Sequence, residues 1–75
     1  MASQTPIDDV PLDGESIRLG QFLKFAGILD SGGEVKEAVA EGLVTVNGEV
    51  DDRRGRQLVV GDVVGFQGRR FRVSV

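Results

Sequence analysis

Between Gly33 and Gly48 the chain reads GEVKEAVAEGLVTVNG, and the spacing of its apolar positions changes once within that run. Val35, Ala38 and Val39 recur at the three- and four-residue spacing of a helix with one buried side. Ser31, with Glu34 three residues later, forms a capping-box pattern at the start of that helix. Gly42 stands where the backbone must turn left-handed to leave it. Leu43, Val44, Thr45 and Val46 then have strand chemistry. Asn47-Gly48 predicts a two-residue hairpin turn, because a primed turn needs positive φ at both central positions. Glu49-Val50 begins the return strand.

The rest of the chain can be read around this unit. Ser16 to Gly27 is predicted as a first helix, with Ser16 as its cap, Gly27 as its stop and Leu19, Phe22, Leu23 and Ala26 as one apolar stripe. Arg18, Gln21 and Phe25 fall together on one flank of that stripe, with Lys24 farther round. Downstream, Leu58-Val59-Val60 and Val63-Val64 read as strands around a Gly61-Asp62 turn. Phe66, then Phe71, Val73 and Val75, alternate with polar residues around Gln67-Gly68 and predict a terminal hairpin. Asp51 to Arg56 is too charged to be buried and is expected to form an exposed loop. Met1 to Glu15 is acidic and broken by Pro6, Pro11 and Gly14. It is expected to be a flexible leader with a disordered start, the alternative being that Ile7, Val10 and Leu12 lie as an edge strand. The division is then a leader over 1–15 and one domain over 16–75. Helices this short are not stable alone, so they must pack on each other and on a sheet. The expected fold is α+β, with two short helices on a small antiparallel sheet.

Composition narrows the function. The 75 residues make one small domain without cysteine or histidine, which excludes disulfides, thiolate metal sites and the usual general base. Only carboxylates and arginines remain for catalysis, and no pair of them is enclosed by apolar sequence that would tune it. No enzymatic activity, cofactor, metal or small-molecule substrate is expected. No apolar run reaches the length of a membrane span, and the N-terminus lacks a signal pattern, so the expectation is a cytoplasmic protein. The net charge of −3 is unevenly distributed. Residues 1–52 carry eleven acidic and three basic side chains, whereas residues 53–75 carry six basic and one acidic. That asymmetry points to a local contact with a polyanion.

Arg18-Leu19, Phe22-Leu23-Lys24, Gly27, Ser31, Lys36, the Gly42-x-Val44-x-Val46-Asn47-Gly48 run and Gly61-Asp62-x-Val64 together resemble the S-four RNA-binding domain, also called the alpha-L motif. The resemblance covers roughly Ile17 to Phe66, and the length and arginine loop look most like the small stand-alone bacterial members. It implies a monomeric module that docks on structured RNA, either ribosomal or transfer RNA, through two helices and the loop after the hairpin. Carried over, it implies contacts from Arg18 and Lys24 on the first helix and Lys36 on the second. Asn47 and Gly48 would shape the turn, and Arg53, Arg54 and Arg56 would extend the surface. The chain departs from the pattern at Gly20, where many members are acidic, and at Gly32, where many are basic.

Other readings compete at several of these positions. Arginine forks match phosphate oxygens, but Arg53, Arg54 and Arg56 can also pair with Asp51, Asp52 and Glu49 in a solvated loop. Lys36 lies on the flank of its helix away from Glu34, Glu37 and Glu41. Ser31-Gly32-Gly33 reads as a cap before it reads as an anion site. Phe25 is expected to cover an edge of the core under the leader, the alternative being to stack a base. Arg69, Arg70 and Arg72 either widen the basic surface or keep a terminal edge strand soluble. The rival function is a protein-interaction adaptor using the Glu34/Glu37/Glu41 row or the terminal strand edge. A ubiquitin-like sulfur carrier is disfavoured by the Val73-Ser74-Val75 end, which lacks a flexible Gly-Gly tail.

Overall fold

A computed structural model describes residues 6–75. The expected unit around Gly33–Gly48 is present. Helix α2 spans Gly32–Ala40, strand β3 Val44–Val46 and strand β4 Glu49–Val50. The Ser31 hydroxyl accepts the Glu34 backbone N–H at 3.2 Å and donates to the Glu34 carboxylate at 3.3 Å, which satisfies one of the free donors at the helix start. At the other end Gly42, with φ of 73°, lets Leu43 N–H reach Ala38 C=O at 3.0 Å and its own N–H reach Val39 C=O at 3.2 Å. This is the Schellman pairing. Helix α1, Leu19–Phe25, ends in the same way at Gly27, with Ile28 N–H on Leu23 C=O at 3.0 Å.

The start of α1 differs from the expectation. Ser16 is not a cap: Ser16–Arg18 forms strand β2, paired antiparallel with β5, Gln57–Val59. Arg18 is the N-cap residue and supplies no side-chain cap. The chain folds this way because Leu19 and Gly20 donate to the carbonyls of Arg56 and Arg54, at 2.8 and 2.9 Å. Carbonyls from a distant loop thus replace the local side-chain acceptor.

The main sheet runs β1-β7-β6-β3-β4, with β1 at Ile7–Pro11, β6 at Val63–Phe66 and β7 at Arg69–Ser74. β6 and β7 form the expected terminal hairpin, turning through Gln67-Gly68. The expectation of an antiparallel sheet needs one correction. β1 pairs parallel with β7, Ile7 opposite Arg70 and Val10 opposite Val73, so the sheet is mixed. Within the expected leader, Ile7–Pro11 therefore takes the edge-strand alternative, whereas the first residues, expected to be disordered, lie outside those described. The physical reason is pairing at both levels. Leu12 N–H continues the ladder to Ser74 C=O at 2.8 Å, and Val10 and Leu12 pack against the core.

Leu19, Phe22 and Leu23 of α1 and Val35, Ala38 and Val39 of α2 are buried against Val44, Val46, Val64, Phe66, Phe71 and Val73 of the sheet, with Leu58 of β5 closing the core. Burying such side chains contributes about 1.5–3 kcal/mol each before entropy is set against it.

Candidate nucleic-acid interface

The loop between β4 and β5 is built from Asp51. This carboxylate is only 5% exposed, so its charge needs compensation. Its Oδ1 accepts from the backbone N–H of Arg53 at 2.9 Å and from Arg53 Nε at 3.1 Å. Its Oδ2 accepts from Arg53 Nη2 at 3.0 Å and Arg56 Nη1 at 2.8 Å. Hydrogen bonds from Arg53, then from Arg56, hold the Asp51 carboxyl well below the usual carboxylate range against the opposing effect of burial. The expected fully exposed loop is therefore corrected at Asp51, because four donors replace the water it loses. Of the three nearby carboxylates, it is Asp51 that pairs with Arg53 and Arg56.

Between those two arginines the chain reverses. Arg56 N–H donates to Arg53 C=O at 3.2 Å, which leaves Arg54-Gly55 at the tip of a turn. The tip abuts α1 through Gly20 N–H on Arg54 C=O. A Cβ on Gly20 would lie 3.4 Å from that carbonyl and 3.5 Å from Val35 Cγ1, so loop and helices approach to backbone distance here. A groove of about 290 Å³ results, lined by Arg18, Gln21 and Lys24 of the first helix region, Gly32 and Val35 of α2, and Arg54-Gly55.

Three of the expected contact residues, Arg18, Lys24 and Arg54, thus converge on one groove although Arg54 is thirty residues or more from the other two. Among the described residues none of the three enters an ion pair or a side-chain hydrogen bond, and neither does Lys36. Lys36 is exposed one turn after Gly32, outside the groove lining. Arg53 and Arg56 are engaged by Asp51. Asn47 and Gly48, with φ of 53° and 88°, form the expected turn but border a different groove, with Thr45, Val63, Gly65 and Arg70.

The remaining candidates separate from the groove. Arg72 Nε donates to Asp9 Oδ1 at 2.7 Å, and Arg69 lies 3.6 Å from Asp8 with its guanidinium 4.9 Å from the Phe71 ring centre. β7 is an interior strand covered by β1, so the terminal strand edge proposed for an adaptor is not available. Phe25 is 56% exposed, which corrects the expectation that it covers the core. Glu34, Glu37 and Glu41 border a groove with Leu29, Leu43 and Phe66 that shares no residue with the basic one. Sequence reasoning missed Asp51 as the organiser of the loop. The signal was present, since an aspartate two residues before a backbone N–H is the Asx-turn spacing.

The family model for the S4 domain matches residues 10–74. The chain belongs to the S4 domain family. The "Probable ribosome maturation protein RlbA" of Bacillus subtilis is 52% identical over 59 residues, 79% of this chain and 83% of that protein. YbcJ of Escherichia coli is 39% identical over 57 residues, 76% of this chain and 81% of YbcJ. The solution structure of YbcJ, described as revealing an alpha-L motif involved in RNA-binding, aligns over 100% of this chain and 96% of its own with a TM-score of 0.70 and 30% identity. The 30S ribosomal protein S4e of Thermoplasma acidophilum shares the fold, with a TM-score of 0.61 and 23% identity over 80% of this chain and 32% of that one. The two-helix α+β architecture read from the sequence is thus the family's own.

Proposed function

We propose that this chain binds structured RNA and acts in ribosome maturation in the cytoplasm. Its contact surface is the groove of Arg18, Lys24 and Arg54, extended by Lys36 one turn along α2. One observation carries the reading: Arg18, Lys24 and Arg54 stand together without carboxylate partners among the described residues, whereas Arg53, Arg56, Arg69 and Arg72 are each paired with an aspartate. Cations placed for a polyanion stay unpaired, since an internal carboxylate would compete with phosphate for the same donors. The RNA-binding motif described for YbcJ and the maturation role in the name of RlbA support the same reading. Catalysis and a bound cofactor form no part of it.

The test is a titration of ribosomal RNA fragments and transfer RNA at several salt concentrations. Phosphate contacts make affinity fall linearly with salt on logarithmic axes. Changing Arg18 and Lys24 to glutamine should weaken binding and flatten that slope while circular dichroism stays native. A folded double variant with unaltered affinity and slope would sink the site. If it instead loses no RNA binding while Glu37→Gln with Glu41→Gln abolishes capture of a protein partner, the adaptor reading takes its place.

A further inference from the structure

We infer that Asp51 is a positioning residue for RNA binding: by clamping Arg53 and Arg56 at the two ends of the loop turn, it presents Arg54 at the tip to phosphate. The inference rests on the proposed RNA-binding reading and divides the three loop arginines into two roles. Arg53 and Arg56 are scaffold, because Arg53 Nε and Nη2 and Arg56 Nη1 are directed at the buried carboxylate at 2.8–3.1 Å. Arg54 is the contact, because it lines the groove with Arg18 and Lys24 and has no carboxylate partner among the described residues.

The geometry connects the clamp to the helix as well as to the tip. The same turn supplies Arg54 C=O to Gly20 N–H and Arg56 C=O to Leu19 N–H, which are the first two donors of α1. Asp51 is itself anchored by its own N–H, which donates to Val44 C=O of β3 at 3.1 Å. A chain of direct contacts therefore runs from the sheet through Asp51 and the turn to the start of α1, where Arg18 sits. Pre-ordering this loop means less freedom is lost when RNA binds. Asp52, next in sequence, is exposed and enters none of the ion pairs found among the described residues, so it serves as an internal control.

The two roles of a carboxylate make opposite predictions. As a mere negative charge near a polyanion, Asp51 opposes binding, and removing it should tighten the complex. As a clamp, its removal should weaken the complex. We therefore expect Asp51→Asn to bind ribosomal RNA fragments roughly tenfold more weakly, the scale of one charge-assisted contact misplaced. Asp52→Asn should bind equally or more tightly. Arg54→Gln should lower the salt slope by about one, as loss of one phosphate contact does. In the Arg54→Gln background, Asp51→Asn should add little, since the side chain it positions is already gone. Arg53→Gln and Arg56→Gln should weaken binding with less change of slope than Arg54→Gln.

All affinities are to be measured well below the melting temperature of every variant, together with amide hydrogen exchange in the absence of RNA. The expected exchange result for Asp51→Asn is lost protection at Leu19 and Gly20 with the sheet amides unchanged. Tighter or equal RNA binding by Asp51→Asn, or strict additivity with Arg54→Gln, would overturn the positioning role. If Asp51→Asn does not fold, a slope change in Arg53→Gln or Arg56→Gln matching that of Arg54→Gln overturns the division of roles instead. Wild-type protein that binds no RNA would overturn the underlying reading, and unaltered exchange at Leu19 and Gly20 would overturn the clamp by itself.

Discussion

Asn47 and Asp62, fifteen positions apart, tie two turns together: Asn47 Nδ2 donates to Asp62 Oδ1 at 3.1 Å. The other atoms of both side chains are engaged too. Asn47 Oδ1 accepts Val63 N–H at 3.0 Å, and Asp62 Oδ2 accepts Val59 N–H at 3.0 Å. Asparagine at this turn therefore does more than tolerate its φ of 53°. It joins the β3–β4 hairpin to the β5–β6 connection.

Asn47→Ala should accordingly lower stability by about 1–2 kcal/mol, losing two hydrogen bonds and gaining strain at positive φ. Asn47→Gly relieves the strain without restoring the bonds and should fall between alanine and wild type. Urea unfolding measures the order. An RNA affinity that changes with the alanine variant by roughly tenfold or more, the scale of a lost direct contact, would return Asn47 to the interface.

Gly65 faces Thr45 across the β3–β6 ladder, and a Cβ on Gly65 would overlap the Thr45 hydroxyl. Gly65→Ala should cost about 1 kcal/mol or more, by forcing Thr45 from its rotamer. Much of that loss should disappear when Thr45 is also changed to alanine, and a double-mutant cycle on thermal unfolding reads the coupling. At the neighbouring turn Gly48 has φ of 88°, where valine is strained, so Gly48→Val should cost about a kcal/mol or more with no such rescue.

Asp51 is expected to make stability depend on pH in acid. Its folded pKa lies below the value of about 3.9 expected in an unfolded chain, so its stabilising contribution is fully present above that value. It is lost as pH falls toward the folded pKa, because the unfolded chain takes up the proton first. Asp9, lowered by its hydrogen bond from Arg72, titrates in the same direction. Asp51→Asn should be less stable than wild type by about 1–3 kcal/mol at neutral pH, and the gap should narrow below pH ~4. Melting temperatures of both proteins from pH 7 to pH 3 decide this; a gap that widens with acid contradicts it.

Phe25 lies beside Lys24 at the end of α1 and exposes more than half of its surface. Phe25→Ala should change stability by no more than about 0.5 kcal/mol, as surface substitutions do. If its ring stacks on a base beside the basic groove, RNA affinity should fall by about 1 kcal/mol or more. Unchanged affinity in the folded variant would remove Phe25 from the interface.

The sequence alone determined the local pieces, and the reason is that their causes lie within a few residues. Ser31 with Glu34, Gly27 and Gly42 after their stripes, and Asn47-Gly48 each act on backbone next to them. Helix α2, both helix stops, the β3–β4 turn and the terminal hairpin were therefore legible. So was the α+β class, and with the motif residues so was the family. The tertiary structure decided everything that rests on partners distant in the chain. Whether Ser16–Arg18 continued a helix or formed a strand depended on β5, some forty residues away. Whether Ile7–Pro11 joined the sheet depended on β7, and the Asp9–Arg72 pair that accompanies it spans 63 positions. The arginine loop combines a local cause with a distant one. Three arginines within four residues look alike in sequence, but Asp51 reaches only Arg53 and Arg56, while the turn they close carries Arg54 to Arg18 and Lys24. Composition supplied the charges; a local clamp by Asp51 engaged Arg53 and Arg56, and long-range packing brought Arg54 to Arg18 and Lys24.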